Sequence, residues 1–163
     1  MTQQIKWKKL LPALALPLAL GGLSAWLNRG AMAGYAVLNK PPLSPPGWLF
    51  PVVWTLLYLL MGLGSYLVAV APAAGSRRER ALRLYLLQLG VNFFWSSLFF
   101  GLGAWFAAFL WLLLLLGLSA VCCLLFWHID RRAGALLLPY LLWLFFAAYL
   151  NLLPVAYQLN QAG

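Results

Sequence analysis

Of 163 residues, 65% are apolar and 8% charged, and eleven Lys and Arg stand against two acidic residues, a net charge of +9. Soluble domains carry about 25% charged residues, so this chain cannot clothe a water-facing surface, and its solvent is lipid. A spanning helix takes about 20 apolar residues, which excludes a sizeable extramembrane domain and leaves residues 1–163 as a single membrane domain.

After Lys6, Lys8 and Lys9, an uncharged apolar stretch runs from Leu10 to Leu27. A secretory signal has a shorter apolar stretch and a small-residue cleavage site, so helix 10–27 reads as a retained first span. The segment 28–45 is the longest connection and ends in NKPPLSPPGW, Asn39 to Trp48. Its prolines enforce extended backbone, which suits a rigid lid over one mouth of a bundle better than a slack spacer. No charge occurs from Pro41 to Ser76, and 47–71 forms the second span. The uncharged run from Leu84 to Ile129 is twice what a bilayer needs and is broken by Gly101-Leu102-Gly103, a turn signal, so it predicts a hairpin of helices 81–100 and 104–128. Beyond Arg131 and Arg132 the chain is again uncharged and supplies a last helix, 134–157. The expected fold is an all-α membrane protein, a five-helix transmembrane bundle with a Pro-rich first loop as lid. A closed barrel is the other spanning solution, but LWLLLLLGL at 110–118 and LLLPYLLWLFF at 136–146 lack polar alternation.

Five spans put the basic head, the 72–83 loop and the 130–132 loop on one side, with nine of the eleven positive charges. The positive-inside bias then places the N-terminus in the cytoplasm of an inner membrane. These short basic clusters suit anionic lipid rather than nucleic acid. Cys122 and Cys123 lack metal-ligand spacing and read as packing residues, and His128 as an interfacial side chain, so no metal is expected. Trp26, Trp48, Trp105 and Trp127 fall near span ends and fit an interfacial belt.

Between Leu10 and Tyr157 every Asp, Glu, Lys and Arg falls in a predicted loop or at a helix end, which disfavours proton-coupled transport. Glu79 and Asp130 fall in the basic loops as arginine neighbours, and no phosphate loop or nucleophile elbow is present. The spans instead carry aromatic and amide stripes at helical spacing. Trp54, Tyr58, Met61 and Ser65 form one, Gln88, Asn92, Trp95 and Phe99 a second, and Trp143, Ala147 and Asn151 a third. Polar groups in lipid seek protein partners, so these stripes face the bundle axis. There the amides either join helices or orient a flat apolar ligand in an aromatic pocket.

Three blocks of sequence resemble the TspO/translocator protein family. The first is Tyr35-x-x-Leu38-x-Lys40-Pro41, followed by Pro45-Pro46-Gly47, Phe50, Val53-Trp54 and Leu57-Tyr58. The second is Asn92-Phe93-x-Trp95-Ser96-x-Leu98-Phe99-Phe100, and the third runs from Pro139-Tyr140 through Trp143, Phe146 and Ala147 to Asn151. The resemblance implies a receptor or binding protein for tetrapyrroles such as protoporphyrin IX or haem, often a homodimer, serving porphyrin sensing, transport or disposal. Related alternatives are a transporter of porphyrin-like molecules and a protein that degrades porphyrin in light. No resident cofactor is implied; the porphyrin is the ligand. The site carried over comprises Tyr35, Pro45, Trp54, Tyr58, Asn92, Trp95, Trp143 and Ala147, and photochemistry would draw on Trp54, Trp95 and Trp143. The chain departs from the family pattern at Gly34 and Leu43, where aromatics are frequent, and no basic residue follows Tyr157 to complete a sterol motif.

Overall fold

The computed structural model describes residues 4–31, 43 and 45–163. Five helices are long and apolar enough to cross a membrane: α1 (Trp7–Leu27), α2 (Leu49–Val70), α3 (Gly75–Ser96, extended by a π-helical turn, Ser97–Gly101), α4 (Trp105–Ile129) and α5 (Arg131–Ala162). No strand occurs among the described residues. The chain is an integral membrane protein of all-α architecture.

The helix ends follow from local chemistry. α2 stops at Ala71, which is extended (φ −66°, ψ 144°) because Pro72 follows it. Gly103 adopts a left-handed φ of 58°, which ends the α3 segment and turns the chain into α4. Asp130 is extended and accepts the Arg132 amide, so it caps α5 one residue after α4 ends.

Two connections are shorter than the charge pattern implied. α3 begins at Gly75, so Arg77, Arg78, Glu79, Arg80 and Arg83 are helical rather than part of a 72–83 loop. Arg78 donates to the carbonyls of Ala71 and Ala73, satisfying acceptors at the end of α2, and Glu79 pairs with Arg83 one turn on. Likewise Arg131 and Arg132 open α5, and Asp130 alone is outside a helix there. Absence of charge marks what lipid covers, whereas helices continue into water wherever hydrogen bonding supports them. α5 also continues past Tyr157, because Gln158 accepts from the Phe106 amide (2.8 Å) and donates to the Gly103 carbonyl (3.2 Å), closing the first turn of α4. Pro139 and Pro154 lie inside α5, which remains helical through both.

Around the bundle, α1 packs on α2, α2 on α5, α5 on α4 and α4 on α3, and α3 returns to touch α1 and α2. Without a hydrophobic drive between helices in lipid, close packing has to hold the seams. Gly62 of α2 lies so near the Ala13 carbonyl of α1 that no Cβ fits, and Gly134 of α5 sits equally close to Trp127 of α4. The core is filled by Met61, Val68, Leu89, Leu112, Leu115, Phe126, Leu137 and Leu144. Cys122 and Cys123 are buried free thiols in this core, and Cys123 Sγ lies 3.3 Å from the Gly134 carbonyl. Trp26, Trp48 and Trp127 are exposed near helix ends, as an interfacial belt requires. His128 is exposed too, its Nδ1 2.7 Å from the Leu124 carbonyl.

Candidate functional site

The core is not filled throughout. Between the C-terminal half of α1, the N-terminal half of α2, the end of α3 and the middle of α5 lies a cavity of about 570 Å³. All four stretches lie toward the side opposite the basic clusters, so the cavity occupies that half of the bundle. α4 contributes nothing to its wall.

α2 supplies Phe50, Trp54 and Tyr58, residues spaced by four on one helical face. α5 supplies Trp143, Ala147 and Asn151 by the same spacing, and α3 supplies Asn92, Trp95 and, from its π turn, Phe99. The rings brace one another. Trp54 meets Trp143 edge to face with centroids 6.4 Å apart, Phe50 meets Trp143 likewise at 5.8 Å, and Trp54 leans on Tyr58 at 5.4 Å. Opposite them, Trp95 stacks on Phe99 at 5.0 Å. Such contacts fix ring planes and make the wall largely pre-formed. α1 completes it with Leu18, Gly21, Gly22, Ser24 and Ala25.

The floor is polar and buried. Tyr58 donates to Asn92 Oδ1 and Asn92 Nδ2 donates to the Tyr140 hydroxyl, both at 2.9 Å. In the wall, Asn151 Nδ2 donates to the Trp105 carbonyl at 3.0 Å, leaving its Oδ1 without a partner among the described residues, as is the Trp95 indole nitrogen. Among the described residues no Asp, Glu, Lys or Arg lines the cavity, which favours an occupant that is apolar where those residues surround it.

Of the residues singled out from sequence, Trp54, Tyr58, Asn92, Trp95, Trp143 and Ala147 meet at this cavity. Pro45, half-buried ahead of α2, is not on its wall. Tyr35 and most of the lid segment (32–42 and 44) lie outside the described residues. Met61, Ser65 and Gln88 extend the stripes below the cavity and are buried, and Phe99 and Asn151 are wall residues. Sequence reasoning missed Tyr140 and Ser119, which complete the buried network, and Phe50, Ser24, Gly21 and Gly22 on the wall. Tyr140 lies three residues before Trp143, the one signal that would have put it on the α5 stripe. Among the described residues no cluster of three or more His, Cys, Asp or Glu side chains can hold a metal.

A family profile described as the TspO/MBR family matches residues 13–153. The chain is 42% identical to the translocator protein of Ovis aries over 118 residues, 72% of this chain and 70% of the relative. It is 35% identical to the tryptophan-rich protein TspO of Chlorobaculum tepidum over 156 residues, 93% and 95% of the two chains. Protein CrtK of Rhodobacter capsulatus is 36% identical over 132 residues, 80% and 81%.

Proposed function

The chain belongs to the TspO/MBR family, and from that premise we propose that it is a membrane receptor that takes tetrapyrroles, protoporphyrin IX or haem, into the cavity between α1, α2, α3 and α5. One observation carries the reading: three indoles from three helices, Trp54, Trp95 and Trp143, converge on a single cavity of about 570 Å³, within the 300–1,000 Å³ usual for small-molecule sites. Flat aromatic walls match a planar macrocycle. The uncharged lining leaves its carboxylates at the mouth, near the end of α1 that carries Arg29, whose guanidinium stacks on Trp26. In this reading the N-terminus is cytoplasmic in an inner membrane, the cavity opens toward the opposite side, and the protein works as a homodimer.

Titrating the detergent-solubilised protein with protoporphyrin IX while following tryptophan fluorescence tests the proposal. Saturable quenching is expected, and its absence overturns the reading. A second reading, light-dependent breakdown of bound porphyrin, is favoured by the indoles on the wall, with Trp54 and Trp143 in edge-to-face contact. Loss of porphyrin absorbance under illumination that disappears in Trp54→Phe and Trp143→Phe supports it. Protein-dependent porphyrin flux into sealed vesicles would instead mark a transporter.

A further inference from the structure

The bundle axis beneath the cavity carries hydrogen bonds that run in one direction. Tyr58 donates to Asn92, Asn92 to Tyr140, and Tyr140 to Gln88 Oε1, each at 2.9 Å, and Ser119 also donates to Gln88 Oε1 at 3.3 Å. Gln88 Nε2 faces Met61 Sδ at 3.9 Å. All six side chains are buried, and only Tyr58 and Asn92 reach the cavity wall.

The far end sets the direction. A thioether sulfur accepts and never donates, whereas a primary amide has a donor end and an acceptor end. The amide end of Gln88 facing Met61 is therefore its NH2, which leaves the carbonyl oxygen to the two hydroxyls. Reversing Gln88 would set oxygen against sulfur with no hydrogen between them, a buried acceptor without a donor. With that oxygen fixed, Tyr140 spends its one proton on Gln88 and accepts from Asn92. Asn92 then turns its oxygen to Tyr58, whose one proton is spent in turn.

We infer that Gln88 is a positioning residue which, acting through Tyr140 and Asn92, commits the Tyr58 proton away from the cavity, so that Tyr58 meets an occupant only as an acceptor and the floor favours planar ligands whose inward edge carries an N–H or O–H. The inference rests on the cavity being the ligand site. It adds a chemical preference that aromatic walls alone do not impose: a ligand lacking a donor at that edge, as protoporphyrin does with its carboxylates at the mouth, leaves the Tyr58 lone pair unmatched and is held by its aromatic faces alone.

Carbazole and dibenzofuran share one fused three-ring shape and differ in an N–H against a ring oxygen, so they are the probes. Their affinities for the detergent-solubilised full chain are read from shifts of the thermal unfolding midpoint, corrected for micelle partitioning. Carbazole is expected to bind about tenfold more tightly, the worth of one hydrogen bond. The ratio falls toward one in Tyr58→Phe and also in Gln88→Met, although Gln88 does not touch the cavity. The tyrosine Raman doublet of the ligand-free protein, taken as a difference against Tyr58→Phe, is expected to report Tyr58 as a donor. Should Gln88→Met fail to fold, the wild-type ratio and the Raman difference still decide. Equal affinities in the wild type, a ratio that survives Gln88→Met, or a Tyr58 that does not donate overturns the inference while leaving the cavity a ligand site. Failure of protoporphyrin and both probes to bind, with the donor signature present, overturns the ligand reading itself and the preference with it.

Discussion

Gly21 determines where the Tyr58 ring can lie. A Cβ at this position would overlap Tyr58 Cε2 and stand 2.8 Å from Cδ2, and the ring is already held by Trp54 and by its bond to Asn92. Gly21→Ala is therefore expected to cost about 1–3 kcal/mol, as overpacking does, and to weaken porphyrin binding. The neighbouring Gly22, whose Cβ would meet nothing within 4 Å, is the control. Gly22→Ala is expected to stabilise by up to about 1 kcal/mol, since alanine is the better helix former. Thermal unfolding of the pair and the quenching titration of Gly21→Ala check these outcomes. At this scale the sequence was legible where polarity or aromaticity recurs at three or four residues, as at Trp54, Tyr58, Asn92 and Trp143. It was not legible at Ser119, a lone hydroxyl in a helix apolar on every face, or at Gly21, whose role depends on which helix lies opposite.

The elements differ in how firmly they are held. α1 is the least buried span, with 11% of its most apolar stretch covered against 33–44% for the others, yet it forms one wall of the cavity. At the cavity end it is fastened to α3 by Ser24, which donates to the Phe93 carbonyl (3.2 Å), and by Asn28, whose Nδ2 reaches Ser97 Oγ (3.4 Å) in the π-helical turn. Ser97 opens the π-helical turn, where the usual hydrogen-bond ladder is out of register. Ser24→Ala with Asn28→Ala should cost about 1 kcal/mol each and accelerate amide exchange in the second half of α1 more than in α4 or α5. Uniform exchange across the five helices would contradict that fastening. At the other end of the bundle, Asp130 caps α5, and its hydrogen bond from the Arg132 side chain holds its carboxyl below the usual range. Its contribution is thus present above about pH 4, the ordinary carboxylate value, and is lost as the pH falls through the lowered value. Asp130→Ala is expected to cost about 1 kcal/mol at neutral pH and to flatten the acid limb of the stability profile measured by thermal unfolding. The spans themselves were legible from hydropathy. The helix ends were not, because Arg78 at the close of α2 and Gln158 at the start of α4 act through hydrogen bonds that hydropathy does not register.

For the whole molecule, the separation of charge from cavity matters most. Nine positive charges gather at one end of the bundle, and the aromatic cavity opens the other half, where Arg29 is the only described Lys or Arg. Hydropathy and charge specified the five spans and this polarity. They could not specify that α2 neighbours α5, or that α4 stays off the wall, because the hydropathy of a span carries no label for its neighbours. If the converging indoles bind porphyrin and a belt indole at the far end of the bundle does not, protoporphyrin affinity in Trp54→Ala and Trp143→Ala, compared with Trp127→Ala, is the most direct test. Removing a wall indole forfeits about 1.5–3 kcal/mol of apolar contact, so dissociation constants at least tenfold weaker are expected for the two wall variants and an unchanged one for Trp127→Ala. Equal affinities across all three variants would contradict porphyrin binding by the wall indoles.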